Sequence, residues 1–320
     1  MSTIYFLVQQ MMFFSIPLLV VALGGMFSER SGVVNIALEG IMIMGAFSSI
    51  LFINVMQEAG VNIPPQLLLL LAILIAAAVG IVVSLLHAYA AINMKADQVI
   101  SGTAINMFAP AFAIFVARMI RTVQQVPFTN TFRMDKVPVL GDIPVLGPLL
   151  FQNTYITTYL GFAILAVSAI VLYKTKFGLR LRACGEHPQA ADSVGINVYK
   201  MRYAGVAISG ALAGIGGLVF VIPTSTQFNA TVSGYGFLAL AVLIFGQWKP
   251  ARILFAAFFF GLMMTIASVY SGIPLLNGLG IPSDIYKMVP YAATLVVLAF
   301  TSKNSQAPRA SGVPYDKGSR

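Results

Sequence analysis

The chain has 320 residues, of which 58% are hydrophobic and 9% charged, with a mean hydropathy of +0.88. Soluble globular domains carry roughly 25% charged residues, so this composition excludes an ordinary water-soluble domain and indicates a lipid-embedded one. A net charge of +9 would fit nucleic acid in a soluble protein, whereas in a membrane protein it follows from the excess of cations on the cytoplasmic side.

A helix needs about 20 apolar residues to cross a bilayer. Runs of that kind lie near 5–26, 33–56, 66–92, 99–119, 155–173, 203–222, 253–271 and 285–301, and a further run, 236–248, is too short to span comfortably and reads as tilted, broken or re-entrant. The expected fold is therefore all-α, a polytopic helical membrane protein with about 8–10 transmembrane helices. The first run lacks a basic leader and a small-residue cleavage site, so it reads as a retained span and not as a signal peptide.

Charge places these spans. Between 174 and 202 six cations, Lys174, Lys176, Arg180, Arg182, Lys200 and Arg202, accompany two acids, Glu186 and Asp192. With the N-terminus outside, 14 of the 19 Lys and Arg residues fall on the inner side, which makes 174–202 a cytoplasmic loop. The 121–153 segment becomes an extracytoplasmic loop, too long for a mere connector and a candidate docking rim. Residues 1–301 form the transmembrane domain, and 302–320, polar, basic and rich in Pro and Gly, is expected to be a flexible cytoplasmic tail.

Catalytic patterns are missing. Neither a G-x-x-x-x-G-K-[ST] phosphate loop nor H-E-x-x-H occurs. One cysteine, Cys184, and two histidines, His87 and His187, allow no intrachain disulfide and no cysteine metal cluster. The chain is expected to be no enzyme, with no catalytic residue, metal or cofactor. Gly214, Gly216 and Gly217 in ALAGIGG superficially evoke a dinucleotide fingerprint, but inside an apolar run with no preceding strand they read as small residues for close helix packing.

The sparse intramembrane polar residues carry the remaining signal. Glu39 sits early in the second span, where a carboxylate costs roughly 2.5–3.5 kcal/mol unless paired or hydrated. In one reading Asn35 and Glu39, one helical turn apart, line a substrate path; in the other Glu39 bonds backbone amides near Gly40 or pairs with Arg30. Asn106 lies mid-span with Pro110 nearby, and an interrupted helix at that depth often lines a cavity; pore lining is the favoured reading for Asn106, and an interhelical hydrogen bond the alternative. His87 reads as a packed or snorkelling histidine, and Trp248, beside Lys249, as an interfacial anchor.

Three separated stretches carry a resemblance: SERSGVVNIALEGIMIMGAF, GLRLRACGEHPQAADSVGINVYKMRYAGVAISGALAGIGG and GYGFLALAVLIFGQWKP. They resemble ABC-transporter permeases of the branched-chain amino acid and simple-sugar import class, over nearly the whole chain from Phe27 onward. SERSGVVNIALEG and APRASGVPYDKG look closest to the shorter permease of bacterial nucleoside importers. The resemblance implies a multi-pass subunit in a bacterial plasma membrane, and the charge count puts its C-terminus on the cytoplasmic side. It implies three partners: a second permease, a cytosolic ATP-binding subunit, and an extracytoplasmic substrate-binding lipoprotein of the basic membrane protein type. It also gives the basic loop a role. A short helix from Pro188 to Val194, stopped by Gly195, would be the coupling helix, with Glu186, Pro188, Ala190, Ala191 and Gly195 touching the ATPase. A simple-sugar or other neutral-solute permease is the alternative cargo class, and a secondary transporter the competing mechanism. Against the latter, Glu39 and His87 are the only titratable residues available for a buried relay.

Overall fold

No water reaches the core of a bilayer to satisfy backbone groups, so the chain must close its amide hydrogen bonds within helices or with its own side chains. The computed structural model describes residues 2–270, 282–301 and 306–318. Eleven α-helices lie in that part: α1 (Ser2–Arg30), α2 (Leu38–Glu58), α3 (Pro65–Ile92), α4 (Gln98–Arg121), α5 (Ile156–Lys174), α6 (Lys176–Glu186), α7 (Pro188–Ser193), α8 (Val198–Thr224), α9 (Tyr235–Phe245), α10 (Pro250–Val269) and α11 (Ser283–Thr301).

Seven of these, α1 to α5, α8 and α10, are long and apolar enough to cross a membrane. The chain is thus an all-α multi-pass membrane protein. The fifth crossing, α5, is followed by the basic α6 and then by the short α7. The short run at 236–248 is the 11-residue α9, about 16 Å of helix at 1.5 Å per residue, roughly half of a bilayer core. The expected end of the eighth run at 271 lies outside the described residues.

Helix burial sorts the bundle. The most apolar windows of α2 and α8 are each 78% buried, against 17% for α4. So α2 and α8 form the centre, while most of α4 faces outward. Small residues make the central packing possible: a Cβ on Gly214 would collide with the Ala76 carbonyl, and one on Gly217 with the Met42 carbonyl. The ALAGIGG glycines therefore serve helix packing, as the apolar context predicts.

The two ends of the bundle differ. At one end, β1 (Val126–Pro127) pairs antiparallel with β4 (Gln227–Phe228), and β2 (Met134–Lys136) with β3 (Gln152–Thr154). Here the 121–153 segment is folded onto the helices. Val126 and Phe132 are fully buried, and Asn54, Gln57 and Gln66 donate to the carbonyls of Pro127, Thr129 and Phe132.

The other end carries α6, α7 and the 306–318 segment. Composition predicts a free tail, but 306–318 is packed: Ala310 N–H donates to Gly185 O at 2.8 Å, Gly312 N–H to Gly32 O at 3.2 Å, and Lys95 pairs with Asp316 at 2.8 Å. Tyr315 is 4% exposed, its ring 5.4 Å from that of Tyr199. A single aromatic residue seated in a groove outweighs the linker-like composition around it.

Candidate functional site: two helix starts inside the bundle

The second span does not begin where hydropathy places it. After Arg30 the chain turns at Gly32, whose φ of +97° suits a residue without a Cβ. Residues 33–35 are not helical, and α2 starts only at Leu38. Val33, Val34 and Ile36 are as apolar as any helix residue, so hydropathy cannot see the break.

An extended segment at that depth exposes backbone groups that must find partners. Side chains from α3 and α4 supply them, and α8 holds the Asn35 side chain. Val34 N–H donates to Gln98 Oε1 at 2.7 Å, and Val34 O meets His87 Nε2 at 2.9 Å. Asn106 serves twice: its Nδ2 donates to Ile36 O at 2.8 Å, and its Oδ1 accepts from Gly40 N–H at 2.7 Å. Asn35 Oδ1 accepts from Ala37 N–H at 3.2 Å, while its Nδ2 donates to Ser209 Oγ on α8 at 2.9 Å. The start of α2 is thus capped by two amide side chains.

Glu39, in the first turn of α2, caps a second helix. Its Oε1 accepts from Gly234 N–H at 2.9 Å and its Oε2 from Gly236 N–H at 2.6 Å, at the start of α9. A carboxylate at a helix N-terminus is favoured by the unpaired amides and by the helix dipole. Of the readings open for Glu39, this is backbone bonding, although the amides belong to α9 and not to the neighbourhood of Gly40. Arg30 does not pair with Glu39: its guanidinium lies 3.5 Å from Glu186 and donates to Trp248 O at 3.1 Å.

The structure thus brings Asn35, Glu39 and Asn106 together around two helix starts. Asn35 and Glu39 are buried and Asn106 half-buried. His87 is a packed histidine, fully buried, whose second nitrogen meets Ser101 Oγ at 2.9 Å. Trp248 departs from expectation. It is 4% exposed, and its indole N–H donates to Glu29 Oε2 at 2.6 Å, so it locks α9 to α1 and is no interfacial anchor.

At the basic end, α7 covers Pro188–Ser193 with Pro188 in its first turn. His187 Nδ1 accepts from Ala190 N–H at 3.3 Å, and Gly195, at φ +83°, follows the helix end. The five predicted contact residues divide. Glu186, Ala190 and Gly195 are exposed; Pro188 and Ala191 are buried. Residues three apart share a helix face, and this one packs inward, Ala191 clustering with Cys184, Val198 and Tyr315.

Residues 7–298 match the family described as branched-chain amino acid transport system / permease component. The chain belongs to this permease family. Over 311 residues, 96% of this chain and 95% of the relative, it is 47% identical to the guanosine ABC transporter permease protein NupQ of Bacillus subtilis (strain 168). It is 40% identical to the nucleoside ABC transporter permease protein NupC of Lactococcus lactis subsp. cremoris (strain MG1363), over 99% of this chain and 98% of the relative. A putative glucose ABC transporter permease protein, TsgC13 of Haloferax volcanii, is 30% identical over 91% of this chain and 90% of its own. No solved structure matches the chain significantly.

Sequence reasoning missed several parts of this permease's centre. Gln98 and Ser209 look like ordinary polar residues in a span, and nothing local shows that each meets the 33–37 segment. Arg202 looks like one more cation of the basic loop, yet it is 1% exposed, with its guanidinium 5.9 Å from the Tyr315 ring and its Nη2 beside Gly32, where a Cβ would approach it to 2.9 Å. A signal for it existed: Arg202 follows Asn197, which caps α8 through Lys200 N–H at 2.9 Å, so Arg202 falls in the second turn of a span and not in the loop.

Proposed function

We propose that this permease is a membrane subunit of an ATP-driven nucleoside importer. The observation that carries the reading is the 47% and 40% identity, over almost the full chain, to permeases named for guanosine and nucleoside transport. Charge agrees: the side chains that brace the starts of α2 and α9 are amides, hydroxyls, the imidazole of His87 and one carboxylate, and Arg202 lies at the Tyr315 end of α8; this suits a neutral solute, whereas a phosphorylated one would call for Arg or Lys among the braces.

In this reading the basic end is cytoplasmic by the excess of Lys and Arg, and the chain resides in a bacterial plasma membrane. It works with a second permease, a separate ATP-binding subunit and an extracytoplasmic substrate-binding lipoprotein. The 174–202 loop meets the ATPase through the exposed face of α7 and its flanks: Glu186, Ala190, Val194 and Gly195. Pro188 and Ala191 act from beneath, seating α7 on Cys184 and Tyr315. Asn35, Glu39 and Asn106 border the substrate path as braces. They hold the starts of α2 and α9 at mid-depth, where discontinuous helices of transporters commonly meet their cargo.

Reconstitution with the partner subunits tests this. Vesicles should take up radiolabelled uridine or guanosine only with ATP, in mutual competition, and should ignore uridine monophosphate. Uptake of ribose without competition from nucleosides would overturn the cargo, and uptake without ATP would overturn the transporter class.

A further inference from the structure

The start of α9 forms part of the wall of a cavity that is also lined by the end of α8 and by α1. Its volume is about 450 Å³, within the range of roughly 300–1,000 Å³ typical of small-molecule sites. Its wall combines aromatic rings, Phe13, Phe14, Phe220 and Tyr235, with uncharged polar groups, among them Gln10, Thr224 and Ser233. A second cavity of about 220 Å³ shares Phe220, Thr224 and Ser233 and adds further amides and hydroxyls. Among the described residues no charged side chain lines either one.

Two features single out this wall. Phe220 and Tyr235 pack on each other, with ring centroids 4.1 Å apart and planes 37° from each other, and both border the cavity. Tyr235 is 1% exposed, and among the described residues its hydroxyl has no hydrogen-bond partner. A buried hydroxyl left without a partner is costly, and it is rarely retained without reason. Glu39 fixes the position of this ring, because the amides it binds, Gly234 and Gly236, flank Tyr235.

We propose that Phe220 and Tyr235 form a stacking platform for the nucleobase of a nucleoside in transit, with Gln10, Thr224 and Ser233 facing its ribose. The inference rests on the nucleoside-importer reading and gives it a place within this subunit. Flat bases of any identity stack on aromatic faces, and short neutral hydroxyls and amides bind weakly enough to let the solute leave. A small rotation of Tyr235 brings its unpartnered hydroxyl to the bound solute. The platform prefers nucleosides over free sugars, which have no face to stack.

The test uses the complete transporter in proteoliposomes, with Cys184→Ser and Thr224→Cys in this chain, and Ser233→Cys as a second reporter position. Saturating guanosine should slow modification of the introduced thiol by a cationic methanethiosulfonate by about 5-fold, an interaction of about 1 kcal/mol, and ribose should not. Phe220→Leu, which keeps an apolar side chain but removes the ring, should abolish that protection and lower guanosine uptake. Tyr235→Phe should weaken both while leaving membrane insertion intact. Guanosine uptake by the unmodified transporter is measured alongside: its absence refutes the importer reading itself. Given normal uptake, thiols at both positions that react equally fast with and without guanosine, or full protection in Phe220→Leu, would overturn the platform.

Discussion

Glu39 and Gly236, 197 residues apart in the chain, meet through a 2.6 Å hydrogen bond that ties the first turn of α2 to the first turn of α9. Both helices begin buried inside the bundle, so each start leaves amides that only the protein can satisfy. One carboxylate closes two of them. Replacing Glu39 with Ala should cost about 2 kcal/mol, the range for losing a helix cap and stranding buried donors, and should lower both thermal stability in detergent and uptake. Glu39→Gln keeps one acceptor oxygen and should fall between. An Ala variant with unchanged melting temperature would show that water replaces the carboxylate.

Asn106 satisfies Ile36 O and Gly40 N–H at once. Asn106→Leu is close in volume and removes both bonds, so it should destabilise the permease more than Asn106→Asp, which keeps the acceptor for Gly40 N–H. Thermal unfolding of the two variants side by side decides the order. Equal melting temperatures would mean that the double hydrogen bond contributes nothing.

The inward and outward faces of α7 make opposite predictions. Ala190 is exposed, so Ala190→Arg should leave folding intact and abolish ATP-dependent uptake by obstructing the ATPase. Ala191 is 3% exposed beside Cys184 and Tyr315, so Ala191→Arg should displace the tail and lower stability, by about 1–3 kcal/mol for overpacking alone. Loss of uptake in Ala190→Arg with ATPase binding undiminished in a pull-down would remove the surface from the coupling assignment.

The same cluster shields the cysteine. Burial pushes the Cys184 thiol up to about 11, with the nearby Arg202 opposing part of that rise, so at pH 7 to 9 almost no thiolate is present. The reactive species is the thiolate. Iodoacetamide should therefore leave Cys184 unmodified in the folded permease and label it fully after denaturation. Tyr315→Ala opens the cluster to water, which favours the thiolate, and should speed labelling at least about tenfold. Labelling at the same slow rate in that variant would show that the tail does not shield the thiol.

Asp316 and Lys95 latch the tail, and their titrations bound the pH range in which it holds. The Lys95 ammonium and then the Gly318 amide hold the Asp316 carboxyl below its ordinary value; the Asp316 carboxylate holds Lys95 above its own. A carboxyl with a lowered folded value contributes above its unfolded value, roughly 3.9, and loses that contribution as pH falls through the folded one. The raised lysine contributes fully below roughly 10.4 and loses its share as pH rises through its folded value. Spin labels on Met94→Cys and Val313→Cys, in a Cys184→Ser background, should hold a constant separation from pH 5 to 9 and spread in stronger acid. Asp316→Asn should show the wider distribution at every pH.

Much of this architecture was legible from local composition. Apolar run lengths gave the long spans, because crossing a bilayer is a property of a window of about 20 residues. The deficit of length at 236–248 marked that run as tilted, broken or re-entrant, and it holds the 11-residue α9. The rarity of Asn35, Glu39 and Asn106 in lipid-embedded segments marked the centre, since a polar group retained there must have a partner. Which partner was beyond reach: Val34 meets His87 across 53 residues and Asn35 meets Ser209 across 174, pairings set by helix packing and invisible to any window. The break at 33–37 stayed hidden for a related reason, because Val33, Val34 and Ile36 are equally apolar in a helix or in an extended strand, and only side chains from α3, α4 and α8 make the extended form tolerable in lipid. The tail reversed its apparent character in the same way, for its composition is that of a linker while one buried ring, Tyr315, holds it against the bundle.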